Sequence, residues 1–476
     1  MFKSRFMMFI LISIIPMPIL AADNVVELRS TLENQQSVAV TIYNNDLALV
    51  KDVRNINLNT GLNAVALRDV SAQIRPETAL LRSINAPGSL TLLEQNFDYD
   101  LLSPSKMLEK FVGKTVTIVK TNPATGAETS EKATVLSANN GVVLKIGNRI
   151  ETGLPGRIVY DDVPSNLRDR PTLITQVNNK GTQNQTVELS YLTGGLGWKA
   201  DYVAELSVKE DRLDLSGWVT LSNMSGASYQ NAKLQLVAGD VNQVQPNRRP
   251  MAKTMRGDVM MAEAAAPISE EGLLEYHLYR LERPTTIAEN QTKQVALLSA
   301  SDIPARKSLL LRGANYYYSN QYGEIGSKLK VDVFIEFDNK EAAKLGMPLP
   351  KGIMRVYKKD SQGNAQFVGE DAIDHTPKNE VVRLKLGSAF DVTADKKQTD
   401  FQKVSNREYK SAFEITLKNA KKEAVTVVVQ EPIGGDWQIL SESAKHTKVN
   451  SQLAQWEIKV PAEGEAKLTY RAIVKY

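Results

Sequence analysis

The sequence predicts a mainly β protein: β-sandwich domains of immunoglobulin-like build, a small inserted β-barrel and little helix. Three observations predict it. Apolar and polar residues alternate through most of the chain with the period of a half-buried strand. Clusters of Asn, Asp, Gly and Pro punctuate these runs. Helix-start signals, by contrast, are scarce.

Residues 37–43 and 47–53 read as two strands joined by Asn44, Asn45 and Asp46. Asn and Asp suit that turn because they tolerate left-handed backbone and bond their own main chain. Residues 62–67 and 78–84 continue the pattern in an N-terminal β domain, expected over 23–102 and resuming over 165–244. Between its two parts, residues 103–164 read as the inserted barrel. Ser103 at the N-cap and Pro104 at the first helical position open a short helix through 106–112, which Gly113 ends. Short strands follow at 115–120, 132–137, 142–146 and 157–160, separated by tight Asn/Gly turns. Longer strands are expected at 185–192, 201–208, 213–221 and 232–237. Residues 245–270 lose the β period and read as a flexible loop rich in Met, Ala and Pro. A C-terminal β-sandwich region, 271–476, carries strands at 292–298, 328–337, 353–358, 381–386, 409–417, 424–430, 454–460 and 466–476.

The first 22 residues read as a signal peptide. Lys3 and Arg5 precede an apolar run over 6–15, Pro16 and Pro18 break it, and Ala21 and Ala22 supply small residues at the cleavage site. The run is too short to span a bilayer comfortably, so the mature protein is expected to be periplasmic or secreted. Lys3 and Arg5 are two of the 58 basic residues, leaving 56 against 54 acidic ones in the mature chain. So even a balance argues against nucleic acid as a partner. No later segment approaches the roughly 18 consecutive apolar residues of a transmembrane helix. Cysteine is absent from the sequence, which removes disulfides, thiol chemistry and a lipid-anchoring thiol together.

Signals that could carry chemistry are weak. Ser103 and Lys106 match the S-x-x-K pattern of penicillin-recognising enzymes, but K-T-G and S-D-N partners are missing and a helix cap explains Ser103. Gly113-Lys114-Thr115 resembles the end of a phosphate loop, yet Leu108 stands where its first glycine is required. His277, His375 and His446 are the three histidines, and their spacing makes no zinc site. A Ser-His-Asp triad assembled only by the fold stays open. Met251, Met255, Met260 and Met261 are half of the eight methionines beyond the leader. Clustered thioethers suit cuprous ion, and equally an adaptable partner surface. Tyr316, Tyr317, Tyr318 and Tyr322, with Tyr276 and Tyr279, offer an aromatic face to a sugar or peptide; in a strand at most half would share one side, which favours packing. Leu468, Tyr470, Ala472, Val474 and Tyr476 alternate like the last strand of an outer-membrane barrel. Charges at both parities elsewhere, as at Lys328, Lys330 and Asp332, favour a soluble sandwich.

Several longer stretches resemble one family. They are residues 43–50 (YNNDLALV), 191–202 (YLTGGLGWKADY), 236–242 (LVAGDVN), Thr285-Thr286-Ile287 with Lys293-Gln294-Val295, and 431–437 (EPIGGDW). The resemblance is to exported bacterial proteins of the domain of unknown function 4139 family, whose relatives include proteins labelled mucoidy inhibitors. It implies an exported β-protein and carries over no reaction and no catalytic residue. The glycines before Trp198 and Trp437 read as backbone devices that turn the chain and bring each indole into the core.

Together these readings point to an exported cell-envelope β-protein, a non-catalytic binding or structural module for an envelope protein or glycan, needing no cofactor. A hydrolase of envelope polymers with a site formed only in the fold is the second expectation, and an outer-membrane β-barrel the third.

Overall fold

The computed structural model describes residues 27–98, 100–139, 141–164, 167–243 and 268–476. The leader and the four loop methionines Met251, Met255, Met260 and Met261 lie outside the described residues. Among the described residues there are thirty strands and a single α-helix, in four sheets of which none closes into a barrel. The chain is mainly β and of sandwich type, as the alternation predicts. It divides into two compact units. One holds residues 53–70 and 80–189 with the N-terminal residues to Gln36, and the other holds 37–52, 71–79 and 190–476.

In the first unit a four-stranded sheet runs in the order Glu27–Ser30, Gly61–Arg68, Thr172–Asn179, Leu90–Asp98. Its first pair is parallel and the others antiparallel. Arg54, 1% exposed, is tolerated beneath it because its guanidinium donates to the Ser30 and Arg68 carbonyls at 2.9 and 2.8 Å. The same unit contains the helix Pro104–Lys110 and a five-stranded antiparallel sheet in the order Arg149–Thr152, Val143–Ile146, Glu128–Ser137, Thr115–Thr121, Arg157–Val159. Met107 from the helix and Phe111 at its C-cap pack on Val116, Ile118, Val135 and Leu144 from the strands. This segment is therefore an open sheet capped by a helix. Its end strands each have one neighbour, which corrects the expected closed barrel.

In the second unit, strands Ile268–Leu273, Tyr276–Leu281, Tyr229–Ala238 and Gln35–Tyr43 lie side by side. Ile268–Leu273 claims the last residues of the expected loop. The turn after Gln35–Tyr43 behaves as its residues require, since Asn45 and Asp46 take φ of 71° and 56°. The largest sheet has thirteen strands and is organised by two very long ones, Gln291–Arg312 and Val381–Lys403. Its C-terminal part is a sandwich. One layer contains the end of Val381–Lys403 with Glu408–Asn419, Gly464–Lys475 and Asp436–Glu442. The other contains the end of Gln291–Arg312 with Val425–Pro432, Leu453–Val460 and Thr447–Asn450. Leu311, Phe413, Val429, Trp456, Leu468, Tyr470 and Val474 fill the space between them. Leu468, Tyr470, Ala472 and Val474 of the last strand thus point into a protein core, whereas Tyr476 lies just past the strand and is exposed.

Candidate functional site

The densest meeting of titratable groups lies inside that sandwich. In Val381–Lys403 the inward positions are Val392, Ala394, Lys396 and Gln398. Val427, Val429 and Glu431 are inward in Val425–Pro432. Period two thus carries a lysine and a glutamate into facing core positions. Lys396 Nζ donates to both Glu431 carboxylate oxygens, at 2.6 and 2.7 Å, and the two side chains are 2% and 0% exposed.

Tyrosines complete the enclosure. Tyr318 Oη donates to Glu431 Oε2 at 3.2 Å and lies 2.9 Å from Tyr470 Oη. The ammonium sits 4.5 Å above the Tyr317 ring and 5.1 Å from that of Phe413, where ring quadrupoles favour a cation. Gly313 leaves room for the acid, because a Cβ there would fall 2.1 Å from Glu431 Oε2. Burial pushes the Lys396 ammonium below its ordinary 10.5, and the Glu431 charge opposes that shift. Burial, with the Glu431 charge added, holds the Tyr318 and Tyr470 hydroxyls well above 10. Two charges removed from water in this way survive because they are paired and hydrogen-bonded.

Tyr317 and Tyr318 of the tyrosine run thus enclose the ion pair. Residues 315–318 form a 3-10 turn between two strands, so strand alternation does not govern it. Tyr318 faces inward, whereas Tyr316, Tyr317 and Tyr322 stack edge-on with centroids 4.7 to 6.1 Å apart. Tyr279 belongs elsewhere: its ring lies 6.5 Å from Trp198 and its hydroxyl donates to the Pro348 carbonyl. Tyr276 shares its strand and lies against Gly239.

The other candidates are spread through the fold. Ser103 caps its helix, accepting from Lys106 N at 3.2 Å, and Lys106 Nζ turns to Glu109 at 2.8 Å and not to the serine. Lys114 Nζ lies over the Phe111 ring at 5.4 Å, and Gly113 takes φ of 81° where the helix ends. His277 pairs with Glu270 at 2.8 Å and His446 with Glu442 at 2.9 Å. His375 accepts from the Lys351 amide at 3.2 Å, and burial pulls its pKa below 6.5. Among the described residues no histidine is hydrogen-bonded to a serine hydroxyl, and no cluster of acids and histidines has metal-binding geometry. Both glycine–tryptophan motifs answer to backbone needs. Gly195 takes φ of 78° with Ser225 Cα 2.6 Å from where a Cβ would be, and Gly435 takes φ of 71° against the Lys475 carbonyl. The Trp437 indole donates to Ser451 O at 2.7 Å.

Fold and site define a cysteine-free, sandwich-type β-protein whose most concentrated chemistry is internal. The model of the family described as a domain of unknown function (DUF4139) matches residues 187–476. That is more than half of the 476 residues, and the chain belongs to this family. No curated protein matches it.

Proposed function

We propose that this protein is an exported module of the cell envelope, periplasmic or secreted, that serves a binding or structural role without catalysis of its own. The observation that carries the reading is how Lys396 and Glu431 are used. The acid and the base that meet most closely in the core do so across the two layers of the C-terminal sandwich, behind Tyr317, Tyr318 and Phe413, with both side chains closed to solvent. Groups so placed hold layers together and are out of reach of a polymeric substrate. A hydrolase would need its acid and base on an accessible concave surface. Export is supported by the charge–apolar–alanine order of the first 22 residues.

Two measurements test the reading. Fractionation of cells expressing the full chain is expected to place it outside the cytoplasm with a mature N-terminus after Ala21 or Ala22; retention inside with an intact N-terminus would remove the envelope role. Cross-linking in intact cells is expected to join it reproducibly to an envelope protein or glycan. Turnover of an envelope polymer by the purified protein would replace this proposal with the hydrolase.

A further inference from the structure

We propose that Lys396 and Glu431 are a self-modification site, at which the lysine amine and the glutamate carboxyl condense into an intramolecular isopeptide bond joining the two layers of the C-terminal sandwich. The proposal stands on the geometry of the cluster and does not depend on where the protein resides.

Four features support it. The amine nitrogen is 2.6 and 2.7 Å from the two carboxylate oxygens, so it faces the carbon that joins them. Attack on that carbon needs the amine to tilt out of the carboxylate plane onto its open face, giving up one of the two hydrogen bonds, a short movement from this starting point. The surroundings are dry and apolar, with Tyr317 and Phe413 over the nitrogen, and burial disfavours the charged lysine. A proton passed along the existing hydrogen bond converts the ion pair into amine and carboxylic acid, which the low dielectric tolerates better. Tyr318 donates to Glu431 Oε2 at 3.2 Å, and the same hydroxyl stabilises the oxygen that gains charge when the carbonyl is attacked. Finally, the partners are held on separate strands of facing layers, which supplies the proximity an uncatalysed condensation lacks.

The step balances without any added reagent. Lys396 Nζ bonds to Glu431 Cδ, one Cδ–O bond breaks, and the departing oxygen leaves as water with the protons released by the nitrogen. No group is oxidised or reduced. With water scarce around the product, hydrolysis back to the acid is disfavoured. In a chain without cysteine, such a bond would provide the covalent tie between layers that disulfides supply elsewhere.

Intact-mass measurement of the purified full-length chain in denaturant tests this directly, followed by proteolysis and fragment sequencing. The expected result is a species lighter by one water, with the fragments containing Lys396 and Glu431 joined to each other. Lys396→Arg keeps a cation but removes the nucleophilic amine, and should show the full mass. A wild-type chain that stays at full mass after prolonged incubation in the folded state overturns the proposal, and this reading needs no variant to fold. Loss of water that persists in Lys396→Arg also overturns it.

Discussion

Two charge clamps, one in each unit, solve the same problem in different surroundings. In the first unit Arg168 grips Glu27 with two hydrogen bonds of 2.9 and 2.8 Å and Asp98 with a third of 2.9 Å. Glu27 and Asp98 lie on the two outermost strands of the four-stranded sheet, so one guanidinium ties residues of its two edge strands together. That clamp is partly open, with its three side chains 14%, 28% and 23% exposed. In the second unit Lys396 and Glu431 are sealed. The fork geometry of arginine suits two acids at a wet edge, whereas a point-charge lysine fits between rings. Water is the difference. At the edge it screens the charges and forgives their loss, but in the core a stranded partner has nothing to replace what it loses.

The contrast can be broken most sharply at the sealed pair. Lys396→Met leaves Glu431 buried and alone, and urea denaturation should place it about 3–5 kcal/mol below the double variant Lys396→Met/Glu431→Leu. Equal stabilities would show that water enters the site after all. Next in size, Tyr318→Phe removes a hydroxyl that donates to Glu431 and should lower stability by about 1–2 kcal/mol, with the fold retained by circular dichroism. Arg168→Met at the open clamp is expected to matter less, about 1 kcal/mol at low salt, shrinking as salt is added. An effect as large and salt-independent as that of Lys396→Met would erase the distinction between the two clamps.

The smallest effect is one of pH. The Arg168 hydrogen bonds hold the Glu27 carboxyl below its ordinary 4.5. The folded state therefore favours the ionised form, and this contribution is complete above 4.5 and lost as pH falls through the lowered value. Wild-type stability measured across that range should fall more steeply than that of Arg168→Met. Parallel curves would mean that the guanidinium does not set the titration of Glu27.

How far these features can be read from sequence depends on whether their cause is local. The Asn45–Asp46 turn and the Ser103 cap follow from side chains acting on their own backbone, and both are where the residues predict. Strand existence is legible because one buried face imposes period two, but strand length is not. Expected strands at 292–298 and 381–386 belong to Gln291–Arg312 and Val381–Lys403. The register slips between Gly217 and Trp218 in the pairing of the first, and between Val333 and Phe334 opposite Lys385 and Gly387 in that of the second, and polar residues occupy the continuations. The ion pair was half visible. Glu431, first residue of the EPIGGDW stretch, stands in phase with Val427 and Val429, so period two alone aims this acid at the core. Lys396 is followed by Lys397, so its inward phase looks like one charge among two. Their meeting is a product of tertiary packing, since the partners are 35 residues apart. For the tyrosine run packing is the favoured reading, and Tyr318 does pack in the core. It does so from a 3-10 turn that obeys neither strand nor helix periodicity, so strand alternation is not what sorts the members of the run.

The two long strands also bear on how the second unit comes apart. Gln291–Arg312 pairs with Arg212–Asn223 along its first part, then with Glu324–Asp338 and Val425–Pro432 along its second. Val381–Lys403 likewise passes from Glu324–Asp338 to Glu408–Asn419. Each strand is thus a common rail for neighbours that are not paired with one another. Opening either end removes pairing surface from a rail that the other end still needs, so amides at both ends should exchange with solvent in one concerted opening rather than region by region.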